Sequence, residues 1–290
     1  MQDPCDQQAN NLPRMDDILT QIIDHKRTEV AARMRHTSFE ELEALVAQQD
    51  APRNFFGAAT HHPDPFHVSV IAEIKRKSPS AGWIRPEYEQ HFDPAAVARR
   101  YYANGAAAIS CLTDEHFFAG DLRFIERIKE AVPLPVLRKD FIVDPWQLWE
   151  SRAAGADAVL LIGEVLTIAE MVDMMILAQR LGLTVLLEVH SVDTLLRVRP
   201  HVGFPHPSYF LLGINNRDLA TQTVNINHTL RLLDMVDDPA ALVSESGIKS
   251  NKDLTWLRHN NVRIVLVGEH LMRAADPGAA LATLRGVPVQ

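Results

Sequence analysis

In the first strand-like run of this chain, Val68-Ser69-Val70-Ile71-Ala72-Glu73-Ile74-Lys75, a carboxylate and an ammonium stand two residues apart. Alternate residues of an extended strand point to the same side, so Glu73 and Lys75 face one way together. Neither charge belongs in an apolar interior unless it is paired or working. The same break recurs at Lys139, in Pro135-Val136-Leu137-Arg138-Lys139-Asp140-Phe141, and at Glu188, in Leu186-Leu187-Glu188-Val189-His190. Positioned ammonium and carboxylate groups are the usual proton donors and acceptors of acid–base catalysis. The recurrence points to an enzyme.

Other apolar runs also end in polar residues. Asn215, Asn216, Arg217 and Asp218 close the sixth run, Glu245 and Ser246 the seventh, and Gly268 and Glu269 the eighth. Asp114 and Glu115 close the second, so seven of eight units supply candidates for one mouth. Ser246, Gly247 and Gly268 are small enough for backbone N–H groups to approach an anion, and Lys75 and Arg217 can add positive charge. A phosphorylated substrate is expected.

These residues need a frame that gathers strand ends. Apolar strand candidates begin near Ser69, Ala107, Pro135, Ala158, Thr184, Tyr209, Ala241 and Ile264, about 28 residues apart on average. Helix-like stretches fill the intervals, opening after Asp93-Pro94, Gly120-Asp121, Asp144-Pro145, Thr167, Ser191, Asn225, Ser250 and Asp276. Strands alternating with helices imply right-handed βαβ units and parallel pairing. Eight such units predict an α/β fold, the (β/α)8 TIM barrel, in which the C-terminal strand ends carry the chemistry. A doubly wound open sheet is the rival, but no GxGxxG follows the first strand. A purely structural ion-pair layer would lie mid-strand; these charges lie at the ends.

Residues 1–68 stand outside the repeat. Residues 15–35 carry Ile18, Leu19, Ile22, Ile23, Val30 and Ala31 at helical spacing behind Asp16-Asp17. A second amphipathic segment follows Ser38, and residues 51–65 read as a proline- and histidine-rich connector. The expected organisation is a helical extension over 1–68 packed on one catalytic barrel over 69–290. The extension alone is too small to bury a core.

Composition excludes several classes of function. The chain has 290 residues, 47% hydrophobic and 23% charged, with a formal net charge of −8. That balance argues against a nucleic-acid partner held by bulk charge. No apolar run reaches the roughly 20 residues of a membrane span. The polar first eleven residues lack the layout of a secretory signal. Two cysteines, Cys5 and Cys111, make no disulfide framework, so a reducing cytoplasm is expected. Thirteen histidines come without HExxH or CxxC, and His61-His62 beside Pro63 and Pro65 is not read as a metal site.

Six segments, taken together and in order, resemble the indole-3-glycerol phosphate synthase family. They are Ile71-Ala72-Glu73-Ile74-Lys75-Arg76-Lys77-Ser78-Pro79-Ser80, Leu112-Thr113-Asp114-Glu115-His116-Phe117-Phe118-Ala119-Gly120, and Leu137-Arg138-Lys139-Asp140-Phe141-Ile142. The others are Gly213-Ile214-Asn215-Asn216-Arg217-Asp218-Leu219, Ser244-Glu245-Ser246-Gly247-Ile248 and Leu266-Val267-Gly268-Glu269. The helix from Asp17 to Val30 is similar to the family's N-terminal extension.

The resemblance implies a lyase of tryptophan biosynthesis that closes a carboxyphenylamino-deoxyribulose phosphate to an indole, losing carbon dioxide and water, with no metal or organic cofactor. It assigns the ring-closing acid to Lys139, whose pKa the neighbouring Phe141 is expected to lower. Glu73, Lys75 and Glu188 take the remaining proton transfers, with Glu188 as general base, and Asn215 orients the substrate. Ser78, Arg217, Ser246, Gly247, Gly268 and Glu269 match substrate and phosphate contacts; Phe118 and Phe141 would pack on the anthranilate ring. Glu269 stands where some members have serine, so its carboxylate is expected to turn away and offer only its N–H. The alternative role for Lys75 is to bind the substrate carboxylate or phosphate.

The first loop, with Trp83 in it, is expected to move over the substrate as a lid. The expected partner is a small phosphorylated molecule, for a monomer or weak homodimer open to association with other enzymes of the pathway. Two alternatives remain: the phosphosugar isomerase of the preceding step, which would not call for acid–base groups on strands one, three and five, and a non-catalytic barrel that binds a phosphorylated metabolite.

Overall fold

The computed structural model describes residues 15–289 except 63, 65, 66 and 219–222. Cys5 and the polar first eleven residues lie outside the described residues, as do Pro63, Pro65 and Leu219.

Eight strands close into a parallel barrel: β1 (Ser69–Ile74), β4 (Ala108–Leu112), β5 (Val136–Lys139), β6 (Ala158–Ile162), β7 (Thr184–Val189), β8 (Phe210–Asn215), β9 (Leu242–Glu245) and β10 (Ile264–Val267). Each starts within one residue of its predicted position. Closure comes from β1 pairing with both β4 and β10. Two short strands, β2 (Lys77–Ser78) and β3 (Gly82–Trp83), form an antiparallel hairpin in the first loop.

The two-residue period sorts side chains between layers. On β1, Val70, Ala72 and Ile74 pack against the surrounding helices, while Ile71 faces the axis with Ala108, Leu137, Leu186, Leu211 and Val243. Continuing that inward register by two residues gives Glu73, Lys139, Glu188, Gly213 and Glu245. Apolar residues thus fill the lower barrel, and the charged ones sit directly above them.

The helices follow in order: α1 (Met15–Met34), α2 (Phe39–Val46), α3 (Phe55–Thr60), α4 (Pro94–Ala103), α5 (Arg123–Ala131), α6 (Trp146–Ala153), α7 (Ile168–Arg180), α8 (Val192–Val198), α9 (Asn227–Leu233), α10 (Asn251–His259), α11 (Glu269–Arg273) and α12 (Pro277–Arg285). Capping explains their starts. Ser38, Thr167 and Ser250 form reciprocal capping boxes with Glu41, Glu170 and Asp253. Asp144 accepts from the Trp146 N–H at 2.8 Å, which starts α6.

Residues 51–65 differ from the expected connector. Asn54 caps a short helix, α3, whose Phe55 and Ala59 are buried against the axial residues Ile71 and Ala108. Arg53 anchors it, donating to the Val132 and Leu134 carbonyls at 2.7 and 2.8 Å. Six residues with two phenylalanines are too short to show a helical period.

The first two helices are bound to the barrel by charge and packing. Val30, Leu42 and Trp146 form a small core between α1, α2 and α6. Lys26, only 1% exposed, lies 2.9 Å from Asp114 and 3.0 Å from Asp140. Arg33 reaches Glu115 at 2.9 Å and Glu150 at 3.1 Å. Asp114 and Glu115, expected at the mouth, therefore serve the docking of α1. Their strand ends where the extension crosses it, so their charges meet the lysine and arginine of that helix first.

Candidate active site

The C-terminal strand ends open onto a cavity of about 1130 Å³. On its floor Lys139 Nζ donates to Glu188 Oε2 at 2.5 Å and lies 3.3 Å from Glu245 Oε2. Asn215 Nδ2 donates to Glu188 Oε1 at 3.1 Å, and His190 Nε2 lies 3.1 Å from that same oxygen. Both Glu188 oxygens are therefore engaged. Glu73 and Lys75 pair across 2.7 Å beside them.

Burial alone would lower the pKa of Lys139, but the charges of Glu188, Glu245 and Glu73 outweigh it and hold the ammonium above the ordinary lysine value. This reverses the expectation drawn from Phe141: carboxylates, not the ring, dominate its surroundings. Burial likewise opposes ionisation of Glu188, yet Lys139 and His190 hold its carboxyl well below the usual range. Glu245 goes the other way. Burial and the charge on Glu188 push it up to about 8 against the pull of Lys139.

Above the floor, the Phe118 and Phe141 rings stand 6.0 Å apart at 40° and leave an aromatic wall. Ile18, Leu19 and Ile22 of α1 add an apolar one. Across the mouth, Ser246 and Gly247 both adopt left-handed backbone, with φ of 67° and 83°. A Cβ at residue 247 would meet Val224 Cγ1 at 2.5 Å, so backbone and space both require glycine there. Ser246 holds a conformation that is costly for a residue with a side chain, as strained functional loops often do.

Arg217 lies on the same rim, its N–H donating to Asn215 Oδ1 at 3.0 Å and its Nη2 to Glu269 Oε2 at 3.4 Å. Glu269 also accepts from Arg273 at 2.8 Å. Residue 269 lines the cavity, and its carboxylate is bonded to two guanidiniums. Ser78 is buried and its Oγ accepts from the Ala81 N–H at 3.2 Å, shaping the first loop. Trp83 does not line the cavity. It packs on the outer core with Lys77 Nζ 5.6 Å from its ring centroid, so the hairpin places it away from the substrate space.

A family model described as indole-3-glycerol phosphate synthase matches residues 19–284. The chain is 46% identical to the indole-3-glycerol phosphate synthase of Acidithiobacillus ferrooxidans over 270 residues, covering 93% of this chain and 99% of that protein. It is 47% identical to that of Burkholderia ambifaria over the same length and shares of both chains. The chain belongs to the indole-3-glycerol phosphate synthase family. These are lyases of tryptophan biosynthesis. Among solved structures it resembles 3-hexulose-6-phosphate synthase from Salmonella typhimurium, with a TM-score of 0.57, 19% identity, and 75% and 97% of the two chains covered. It also resembles a tryptophan synthase alpha-subunit from Pyrococcus furiosus, with a TM-score of 0.54, 13% identity, and 76% and 98% covered. At those identities the likeness is one of fold.

Every residue that the family resemblance brought forward lines this one cavity: Glu73, Lys75, Ser78, Phe118, Lys139, Phe141, Glu188, Asn215, Arg217, Ser246, Gly247, Gly268 and Glu269. Sequence reasoning counted Glu245 among the strand-end candidates without assigning it a specific role, and it did not single out His190. Glu245 had a legible signal, a carboxylate closing an apolar strand. His190 had only its place two residues after Glu188, which puts it on the same side of β7. The Ile18, Leu19 and Ile22 wall was not foreseen, since a helical stripe reads as packing until its partner is known.

Proposed function

We propose that this chain converts 1-(2-carboxyphenylamino)-1-deoxyribulose 5-phosphate to indole-3-glycerol phosphate, carbon dioxide and water. The observation that carries the reading is the Lys139 ammonium on the cavity floor, 2.5 Å from one buried carboxylate and 3.3 Å from a second. Its surroundings keep it protonated across the neutral range, so the acid is always loaded. Lys139 protonates the ketose carbonyl oxygen while the ring carbon bearing the carboxylate attacks the carbonyl carbon. Loss of carbon dioxide returns the electron pair to the ring and restores aromaticity.

Water then leaves from the protonated hydroxyl and a base removes the proton that completes the indole double bond. Glu188 is that base, with Glu73 and Lys75 sharing the dehydration and Asn215 holding Glu188 in register. Phe118 and Phe141 flank the anthranilate ring. Lys75, Ser78, Arg217 and the backbone at Ser246, Gly247 and Gly268 hold the phosphate end, and Glu269 keeps Arg217 in place. The helices of residues 1–68 belong to the same catalytic unit, because α1 walls the cavity.

No metal or organic cofactor takes part, the setting is the cytoplasm, and the protein works as a monomer or weak homodimer, open to association with other enzymes of the pathway. No helix among the described residues is long and apolar enough to cross a membrane.

The test supplies the full chain with the carboxyphenylamino-deoxyribulose phosphate, labelled in its carboxyl carbon, in chelating buffer. Labelled carbon dioxide should appear in step with indole absorbance. Binding without release of either product would favour the non-catalytic barrel.

A further inference from the structure

Glu188 is held by a chain of groups that the reaction scheme leaves unused, the first of which, His190, also lines the cavity. His190 follows β7, and its ring is 8% exposed. One ring nitrogen, Nε2, lies 3.1 Å from Glu188 Oε1; the other, Nδ1, lies 3.1 Å from Glu164 Oε2. Glu164 also accepts from the His190 backbone N–H at 2.8 Å, so one carboxylate fixes the residue at two points. Glu164 sits in the turn after β6, where Gly163 accepts no larger residue: a Cβ would lie 2.7 Å from Thr194 Cγ2. The far side is closed by His228 of α9, whose Nε2 is 3.0 Å from the His190 carbonyl oxygen.

We propose that His190 is a positioning residue whose ring, clamped by Glu164, donates to Glu188 and keeps that carboxylate ionised and aimed into the cavity. A ring with carboxylates on both nitrogens donates to both only as the imidazolium. Its surroundings agree. Burial alone would remove the proton, but hydrogen bonds and charge from Glu164 and Glu188 raise its pKa to about 10. The titratable groups facing this assembly are Glu164 after β6, Glu188 on β7 and His228 on α9, whose pKa burial lowers, with Lys139 on β5 reaching it through Glu188. The proposal rests on the reading of Glu188 as general base, and refines it. Lys139 holds Oε2 and Asn215 holds Oε1 through a neutral donor; the imidazolium adds a second, charged donor on Oε1.

The experiment compares steady-state turnover of the wild-type chain, His190→Gln, Glu164→Gln and Glu188→Gln from pH 5.5 to 9.5. Glutamine at 190 retains a donor but not the charge. Its kcat should fall about tenfold at pH 7, the loss expected for a charged hydrogen bond, with KM within threefold. Its acid limb should move to higher pH, because Glu188 then holds its proton more tightly. Glu164→Gln should instead lose activity on the alkaline side, where His190, now with one carboxylate partner, sheds its proton. Nitrogen NMR of labelled histidine should show His190 doubly protonated above pH 9 in wild type and titrating lower in Glu164→Gln.

Wild-type kcat and pH profile in folded His190→Gln would overturn the proposal. Should that variant not fold, an unchanged alkaline limb and an unchanged histidine titration in Glu164→Gln would do the same. Full turnover by Glu188→Gln would overturn the assignment of the base itself; its collapse beside an unaffected His190→Gln would overturn only the positioning.

Discussion

Gly268 and Glu73 share one space. A Cβ built on Gly268 would stand 2.2 Å from Glu73 Oε1 and 2.8 Å from its carboxyl carbon. The two residues lie at the ends of neighbouring strands, where Ala72 of β1 pairs with Val267 of β10. The small residue at 268, read from the sequence as a close approach to an anion, also gives the Glu73 carboxylate its place.

Gly268→Ala should therefore act on chemistry more than on folding. The backbone there has φ of −125°, outside the left-handed region that favours glycine. The methyl group must push the Glu73 carboxylate aside, at the usual overpacking cost of about 1–3 kcal/mol. Denaturant unfolding should show a folded protein, while turnover drops at least tenfold. Wild-type turnover in the variant would mean that Glu73 has no role in catalysis.

Lys26 tests the bond between the extension and the barrel. Its ammonium is 1% exposed and touches Asp114 and Asp140, the second of which also binds Arg138 at 3.0 Å. Removing one partner from such a buried network costs about 3–5 kcal/mol, because the remaining charges lose their compensation. Lys26→Met should lower stability by that amount in urea unfolding. A loss under about 1 kcal/mol would show that α1 is held by apolar packing alone.

Glu245 predicts a pH dependence with a definite sign. Its pKa in the folded protein is raised from 4.5 to about 8, so folding favours its protonated form. The stability this gives is fully present below the unfolded pKa and is lost as pH rises through about 8. Glutamine mimics the protonated acid. Glu245→Gln should match wild type in Tm near pH 4 and exceed it near pH 9. Equal Tm differences at both pH values would place the proton elsewhere.

Ser246 separates backbone from hydroxyl. With φ of 67° it pays for its side chain, and Ser246→Gly removes that strain while freeing the unfolded chain, so the two effects should cancel to within about 1 kcal/mol. Turnover measured across substrate concentration then isolates the hydroxyl. A raised KM with little change in kcat is expected if it binds the phosphate end; an unchanged KM leaves that contact to the backbone N–H.

Much of this was legible in the sequence for a physical reason. Parallel strands buried on both faces are apolar runs, so a charge at Glu73, Lys139 or Glu188 stands out against them, and the eight-fold repeat follows from the capping residues between. What the sequence hid was mutual arrangement. Lys139 beside Phe141 suggested a lowered pKa, because sequence neighbours are visible and the carboxylates of Glu188 and Glu245, brought in from other strands, are not. Asp114 and Glu115 looked like mouth residues until α1 supplied Lys26 and Arg33. Helix α3 escaped notice because six residues carry no period.

The most direct test of the central claim follows indole-3-glycerol phosphate formation by its fluorescence, with wild type and Lys139→Ala side by side on the carboxyphenylamino-deoxyribulose phosphate. General acids of this kind contribute about 100- to 10,000-fold. Wild type should turn over, and the variant should lose at least about 100-fold in kcat while still binding the substrate. Equal turnover in both would contradict the assignment of Lys139, and turnover in neither would contradict the reaction itself.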